Sequence, residues 1–223
     1  MRTMILAAGR GERLRPLTDT VPKALIEVRG KPLIAWYLER LAAGGFREIV
    51  INVAHLAERI VEALGDGSRW GATIAWSREG HALETAGGIA NALPLLGRAP
   101  FLVVNADVFC DYPFASLRGK ADLKGLLGHL VMAPNPAFRP RGDFSLAQGF
   151  VGNLAAPRYT YSGIGVFDPR IVDGVRAGDK APLAPLLREA AAAARLGGEL
   201  HTGLWNDVGT PERLAELNRM EAP

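Results

Sequence analysis

The chain has 223 residues, 48% of them hydrophobic, with 26 basic and 23 acidic side chains and a formal net charge of +3. Such a length and apolar content suit one large α/β core, and interspersed charge without a basic run speaks against a nucleic-acid partner. A single cysteine, Cys110, excludes an internal disulfide and fits a reducing cytoplasm; the short run between Arg2 and Gly9 is no secretory leader, and no apolar stretch approaches a membrane span.

Strands and helices are predicted to alternate. Thr3 to Ala8 is almost wholly apolar, as expected of a strand covered on both faces. Pro32 suits a first helical turn, followed by an apolar face of Leu33, Ile34, Tyr37, Leu38 and Leu41, and Gly44-Gly45 ends the helix. Glu48 to Val53 reads as a second strand, and Leu56, Ile60, Val61 and Leu64 follow helical spacing. Ala72 to Ser77 is a third strand, Thr85 is a candidate cap for a helix through Leu93, and Pro100 to Asn105 is a fourth strand. Successive βα units imply a mostly parallel sheet with helices on both faces, whose ligands sit beyond the carboxyl ends of the strands. Gly9–Lys23, Ser77–Gly88 and Asn105–Asp107 all fall at that edge.

Beyond Asp107 the pattern loosens. Leu126 to Met132 reads as a strand. Asp143 to Val151 and Arg158 to Phe167 read as antiparallel strands covering the site. Pro182 to Leu196 reads as an alanine-rich helix with Leu183, Leu186 and Leu187 inward, and Leu200 to Trp205 as a late strand. Pro211 to Met220 is a closing helix with Thr210 at its N-cap. The whole chain, 1–223, is expected to be one domain, with a nucleotide-binding half over about 1–110 and a sugar-binding half over about 111–223.

The first strand empties into Gly9-Arg10-Gly11-Glu12-Arg13-Leu14-Arg15-Pro16-Leu17-Thr18, followed by Pro22-Lys23. Glycines let backbone N–H groups approach phosphate oxygens, and arginines add a planar cationic fork that fits them. The stretch is not a P-loop, since no Lys-Ser or Lys-Thr follows. Nor is it a dinucleotide fingerprint: position 14 is Leu, and no acidic residue closes the second strand, which ends near Asn52.

Leu6, Ala7, Ala8, Gly9, Gly11, Arg13, Leu14, Pro16, Leu17, Thr18, Pro22 and Lys23 resemble the signature of the sugar-1-phosphate nucleotidyltransferases. The resemblance implies a Rossmann-like α/β fold with a small antiparallel sugar-binding subregion. The implied reaction joins a sugar-1-phosphate to the α-phosphate of a nucleoside triphosphate and releases pyrophosphate. Ala7, Ala8, Gly9, Gly11, Glu12, Arg13 and Lys23 then bind nucleotide, Arg13 on the departing phosphates and Lys23 near the reacting ones. Arg10 and Arg15 are extra to the pattern. Glu84 to Ile89 resembles the family's base-reading segment, with Glu84 in place of a glycine and Gly87 and Gly88 allowing close approach of a base.

Phosphoryl-type transfer needs positioning and positive charge more than covalent help. Asp107 ends a hydrophobic strand, where a hard oxygen ligand for Mg²⁺ is commonly placed. Trp205-Asn206-Asp207-Val208-Gly209-Thr210 resembles the family's C-terminal metal motif, so Asp107 and Asp207 are the expected Mg²⁺ pair and Asp107 joins Arg13 and Lys23 as catalytic. The family's sugar-contacting Glu-Lys-Pro segment has no counterpart; Val151 to Ala155 stands in its place. Asn105, Asp143, Asn153, Tyr161 and Gly163 are the sugar-binding candidates. His55, His81, His129 and His201 lack metal-ligand spacing, with His81 in the base-reading loop. Cys110, Trp36, Tyr37 and Trp70 suit packing.

Asn52, Ala54, His55 and Leu56, with Leu64 to Ser68 and Leu83 to Ile89, resemble the compact bacterial N-acetylmuramate-1-phosphate uridylyltransferases of peptidoglycan recycling. A guanylyltransferase for mannose-1-phosphate or a heptose phosphate is the alternative within the class. A non-catalytic nucleotide-sugar sensor is the alternative outside it, disfavoured by the presence of Lys23 and both carboxylates.

Overall fold

The computed structural model describes residues 1–153 and 157–220. Its strands are β1 (Thr3–Leu6), β2 (Glu27–Val28), β3 (Lys31–Pro32), β4 (Glu48–Val53), β5 (Thr73–Arg78), β6 (Phe101–Asn105), β7 (Val108–Cys110), β8 (Gly128–Ala133), β9 (Phe144–Ala147), β10 (Phe150–Gly152), β11 (Arg158–Phe167), β12 (Leu196–Leu200) and β13 (Trp205–Asp207). The helices are α1 (Leu33–Ala43), α2 (Ala57–Leu64), α3 (Glu84–Leu96), α4 (Leu183–Ala192) and α5 (Pro211–Arg219).

One nine-stranded sheet runs in the order β5-β4-β1-β6-β11-β8-β12-β10-β9. Its first four strands are parallel. From β6 onward, β11 runs antiparallel to both its neighbours, and only β8 and β12 pair in parallel. A further pairing of β11 with β9 curls this second half back on itself. Successive strand residues enter opposite faces: Ile5, Ile51 and Val104 join the core shared with α1 and α2, while Met4, Val50 and Val103 join the core shared with α3 and α4. Full burial of each such side chain contributes about 1.5–3 kcal/mol. A third, smaller cluster of Val28, Leu33, Phe109, Val208 and Leu217 seats α5.

Several boundaries differ from the sequence expectation. Pro32 is the N-cap of α1 rather than its first residue. Thr85 lies inside α3; Leu83 holds the cap position, and its N–H is taken by the Glu79 carboxylate at 3.0 Å instead of by a local cap. The predicted strand 143–151 is a hairpin, turned at Gln148 and Gly149, both with positive φ. The predicted helix 182–196 stops at Ala192, because Ala194 turns left-handed (φ 53°) and Leu196 opens β12. Leu183 and Leu187 are buried there, and Leu186 only partly. The predicted late strand 200–205 is split: Leu200 ends β12 and Trp205 begins β13, with a loop between. Thr210 caps α5 through its side chain, as predicted. Among the described residues no helix is long and apolar enough to cross a membrane.

Candidate active site

Parallel pairing aligns Leu6 with Asn52 on one side and with Asn105 on the other. Three strand ends therefore open together, and a cavity of about 320 Å³ lies over them. Its walls include Ala7, Ala8, Gly9, Lys23, Asn52 and Asp107.

Asn52 holds this edge together. Its Oδ1 accepts from the Ala7 N–H at 2.8 Å, and its Nδ2 donates to Glu79 Oε1 at 2.7 Å. Glu79 in turn accepts from the Leu83 N–H. The root of the glycine loop and the start of α3 are thereby tied through one buried amide. Gly88 leaves the room: a Cβ there would lie 2.8 Å from Asn52 Nδ2 and 2.9 Å from Glu79 Oε1. Gly87 is likewise a packing glycine, since a Cβ would fall 2.1 Å from the Asp179 carbonyl oxygen. Neither glycine reaches the cavity wall. Ala82, Glu84 and Thr85 line it instead, so this part of the helix start, rather than the two glycines, faces the cavity.

The glycine loop is a series of short 3-10 turns, Glu12–Leu14, Leu17–Asp19 and Lys23–Leu25, interrupted by Pro16 and Pro22. Gly11 has φ 70°, and a Cβ would press on Thr18 and Lys23, so only glycine fits. Thr18 Oγ1 donates to the Gly11 carbonyl at 2.9 Å and fixes the curl. Lys23, deeply placed, meets Asp107 Oδ2 at 2.8 Å. Arg13 stays 62% exposed with its guanidinium 4.0 Å from Asp207 Oδ2. Arg10 and Arg15 face outward against Glu12 and Asp19.

Asp107 and Asp207 are brought together by the antiparallel ribbon β7–β13, in which Asp207 pairs with Val108 and the Val208 N–H donates to the Asp107 carbonyl at 2.9 Å. Asp207 Oδ2 accepts from Arg213 Nη1 at 2.9 Å, while its Oδ1 is buried with no hydrogen-bond partner. A buried carboxylate oxygen without a donor is an unsatisfied acceptor, which a bound cation would satisfy. The donor set fits a hard divalent ion: two carboxylates at one edge, with Lys23 and Arg13 beside them. A Cβ on Gly209 would strike Asp207 Oδ1 at 2.7 Å and Arg13 Nη2 at 2.9 Å, so that glycine leaves room for the carboxylate and the guanidinium to approach each other.

A second cavity, of about 500 Å³, adjoins the first and shares Glu84, Thr85 and Asn105 with it. Asp143 and Tyr161 line it. Asp143 Oδ2 accepts from the Tyr161 N–H at 2.9 Å and faces Arg139 Nη1 at 3.2 Å. Burial pushes the Tyr161 hydroxyl well above its ordinary pKa. Gly163 lies outside the wall, at the bulge of β11 (φ 82°), where its missing side chain seats the Asn105 amide. Asn153 also lies off the wall and donates to the Arg188 carbonyl at 2.7 Å. Leu154 and Ala155, in the stretch standing where the Glu-Lys-Pro segment would be, lie outside the described residues.

Residues 2–141 match the nucleotidyl transferase family model. The chain belongs to that family. It is 52% identical over 229 residues to the N-acetylmuramate alpha-1-phosphate uridylyltransferase of Neisseria meningitidis serogroup B, across 99% of this chain and 98% of the relative. The protein of the same name from Caulobacter vibrioides is 36% identical, across 94% and 92%. The mannose-1-phosphate guanyltransferase of Schizosaccharomyces pombe is 34% identical across 95% of this chain, which spans only 62% of that longer relative. Among solved structures, HddC from Yersinia pseudotuberculosis superposes with a TM-score of 0.78 at 18% identity, covering 97% of each chain, a likeness of fold.

For a member of the nucleotidyl transferase family, the sequence signature reveals the glycine loop but not what supports it. Asn52 and Glu79 carried only a weak signal, polar residues at the ends of two apolar strands. Arg213 was hidden in the first turn of α5. Lys180, Arg139 and Arg188 look like ordinary surface cations until the fold sets them on cavity walls. Three histidines are internal fasteners: His55 bonds the Thr18 carbonyl, His129 bonds Glu199 and His201 bonds Asp111. Cys110, Asp111 and His201 form the one three-residue metal-type grouping among the described residues. Asp111 and His201 are already engaged with each other, and burial pushes the Cys110 thiol up to about 12, which keeps it protonated and suits packing.

Proposed function

We propose that this chain transfers the uridylyl group of UTP to N-acetylmuramate α-1-phosphate, giving the UDP-sugar and pyrophosphate with Mg²⁺ as cofactor. The observation that carries the reading is near-full-length similarity, on both chains, to a uridylyltransferase of that specificity, at 52% identity. The mannose-1-phosphate guanyltransferase resemblance is weaker and partial in the relative's length.

In this reading a phosphate oxygen of the sugar-1-phosphate forms a bond to the α-phosphorus of UTP. The bond from that phosphorus to the bridging oxygen breaks, and pyrophosphate leaves with the electron pair. The attacking phosphate is already anionic at neutral pH, so no general base is needed. The difficulty is bringing like charges together, and Lys23 supplies a fixed cation between them. Arg13 stands at the open side, where the departing phosphates lie. Asp107 and Asp207 would hold Mg²⁺, which when bound neutralises charge on the phosphate oxygens. Asn52, by holding the Ala7 N–H, keeps the loop in the geometry that presents its amides.

The test is pyrophosphate release over a grid of nucleoside triphosphates and sugar-1-phosphates with Mg²⁺. The highest kcat/KM is expected for UTP with N-acetylmuramate α-1-phosphate. A higher value for GTP with mannose-1-phosphate, or no release with any pair, overturns the reading.

A further inference from the structure

One cation on the wall of the second cavity, Arg188, makes no ion pair there, because the two wall carboxylates are engaged by other partners. The charged side chains on its wall are Glu84, Arg139, Asp143 and Arg188. Arg139 is paired with Asp143 at 3.2 Å, and Glu84 faces Lys180 at 3.7 Å. Arg188 has no carboxylate within ion-pair distance among the described residues.

The helix turn that carries the exposed Arg188 side chain is held in place. Ala184, Leu187 and Arg188 stand at i, i+3 and i+4 on α4, so they share the helix face that lines the cavity. Leu187 is buried beneath, and the Arg188 carbonyl accepts from Asn153 Nδ2. The first turn of α4 also borders the cavity, and its N-cap, Pro182, offers no side-chain acceptor. The positive end of the helix thus adds to the guanidinium.

The two cavities give direction to a ligand. A 1-phosphate beside Lys23 and Asp107 places its sugar across Asn105, which borders both spaces, and the substituents farther out reach the wall formed by α4. We propose that Arg188 is a specificity-determining residue, receiving a carboxylate borne by the sugar ring on a side arm, separate from the 1-phosphate. This rests on the substrate reading above, since N-acetylmuramate is N-acetylglucosamine with a lactyl ether that ends in such a carboxylate. Guanidinium and carboxylate match as a planar, two-bond pair.

The experiment is a two-by-two cycle. Wild type and Arg188→Ala are each assayed for kcat/KM with N-acetylmuramate α-1-phosphate and with N-acetylglucosamine α-1-phosphate, with Arg188→Lys as the conservative variant. Removing the guanidinium is expected to lower kcat/KM for the acidic sugar roughly 10- to 100-fold. The two removals together are expected to cost no more than one alone, and lysine to restore part of the preference. Losses that multiply independently, or an Arg188→Ala enzyme with unchanged preference, overturn the assignment while leaving the substrate reading intact. A wild type that releases no pyrophosphate from the acidic sugar overturns both.

Discussion

Lys23 Nζ lies 2.8 Å from a carboxylate oxygen of Asp107, 84 residues along the chain, with the lysine side chain only 11% exposed and the aspartate 39% exposed. The pair joins the end of the signature loop to the residues just beyond β6, which the proposed reaction makes the meeting place of the two phosphates. Lys23→Ala is expected to lower kcat/KM by roughly 10²- to 10³-fold, the scale seen when one preorganised electrostatic contact is removed. The thermal midpoint should hardly move, because Asp107 remains hydrated. Pyrophosphate release and a circular-dichroism melt check both parts; a rate within a few-fold of wild type would remove Lys23 from the reaction.

The orphaned Oδ1 of Asp207 leads to a second expectation. Asp207→Asn keeps the shape and leaves Arg213 its contact with the residue's backbone carbonyl, at 3.3 Å, but lowers the negative charge. Turnover at fixed Mg²⁺ is expected to fall by about two orders of magnitude, with more metal needed for half-maximal rate. Chelation of the wild-type enzyme should abolish turnover, and excess Mg²⁺ should restore it. Full activity in chelator would show that neither carboxylate serves a metal.

Glu84 occupies a left-handed backbone position, φ 60°, where glycine is at ease and other residues are strained by about 1 kcal/mol. Its ion pair with Lys180 is solvent-exposed and contributes little. Glu84→Gly is therefore expected to stabilise the fold by up to about 1 kcal/mol, raising Tm by up to about 4 °C. The same change removes a wall shared by both cavities, so KM for one or both substrates should rise. A variant that melts lower than wild type would contradict the strain argument.

Glu199 lies 2.9 Å from His129 Nε2 and accepts from the Tyr112 hydroxyl, and these bonds hold its carboxyl at about 2, below its ordinary 4.5. A depressed carboxyl adds stability that is complete above its unfolded pKa and is lost as pH falls through the folded one. Glu199→Gln should thus cost about 1.5 kcal/mol near neutrality, the low end for a charged hydrogen bond because the side chain is partly exposed. The gap from wild type should close between about pH 4.5 and pH 2. Urea unfolding across that window measures it; a gap independent of pH would assign the effect to packing alone.

The first half of the chain was readable because its central strands β1, β4 and β6 are short, nearly continuous apolar runs buried in the sheet and set between helices or glycine turns. Glu48–Val53 came out at its predicted bounds for that reason. The second half offers weaker punctuation. The β9–β10 hairpin turns on Gln148-Gly149, where the favoured first residue would be Asn, Asp or Gly. Helix α4 ends on a left-handed alanine within an alanine run, so the usual glycine stop is missing. Of the sugar-side candidates, Asn105, Asp143 and Tyr161 border the second cavity, whereas Gly163 and Asn153 support it from behind. Arg139 and Arg188 could not be distinguished from solvated arginines, because what sets them apart is the cavity, and that is assembled from separate elements.

The ribbon β7–β13 is only three residues long on each side, yet it carries one of the two carboxylates of the site. Being separate from the nine-stranded sheet, so short a pairing is expected to open at a lower free energy than the central strands. Warming the enzyme should therefore switch off catalysis at temperatures where the bulk of the molecule is still intact, so that an activity assay registers the loosening of one small clasp well before any spectroscopic signal of unfolding.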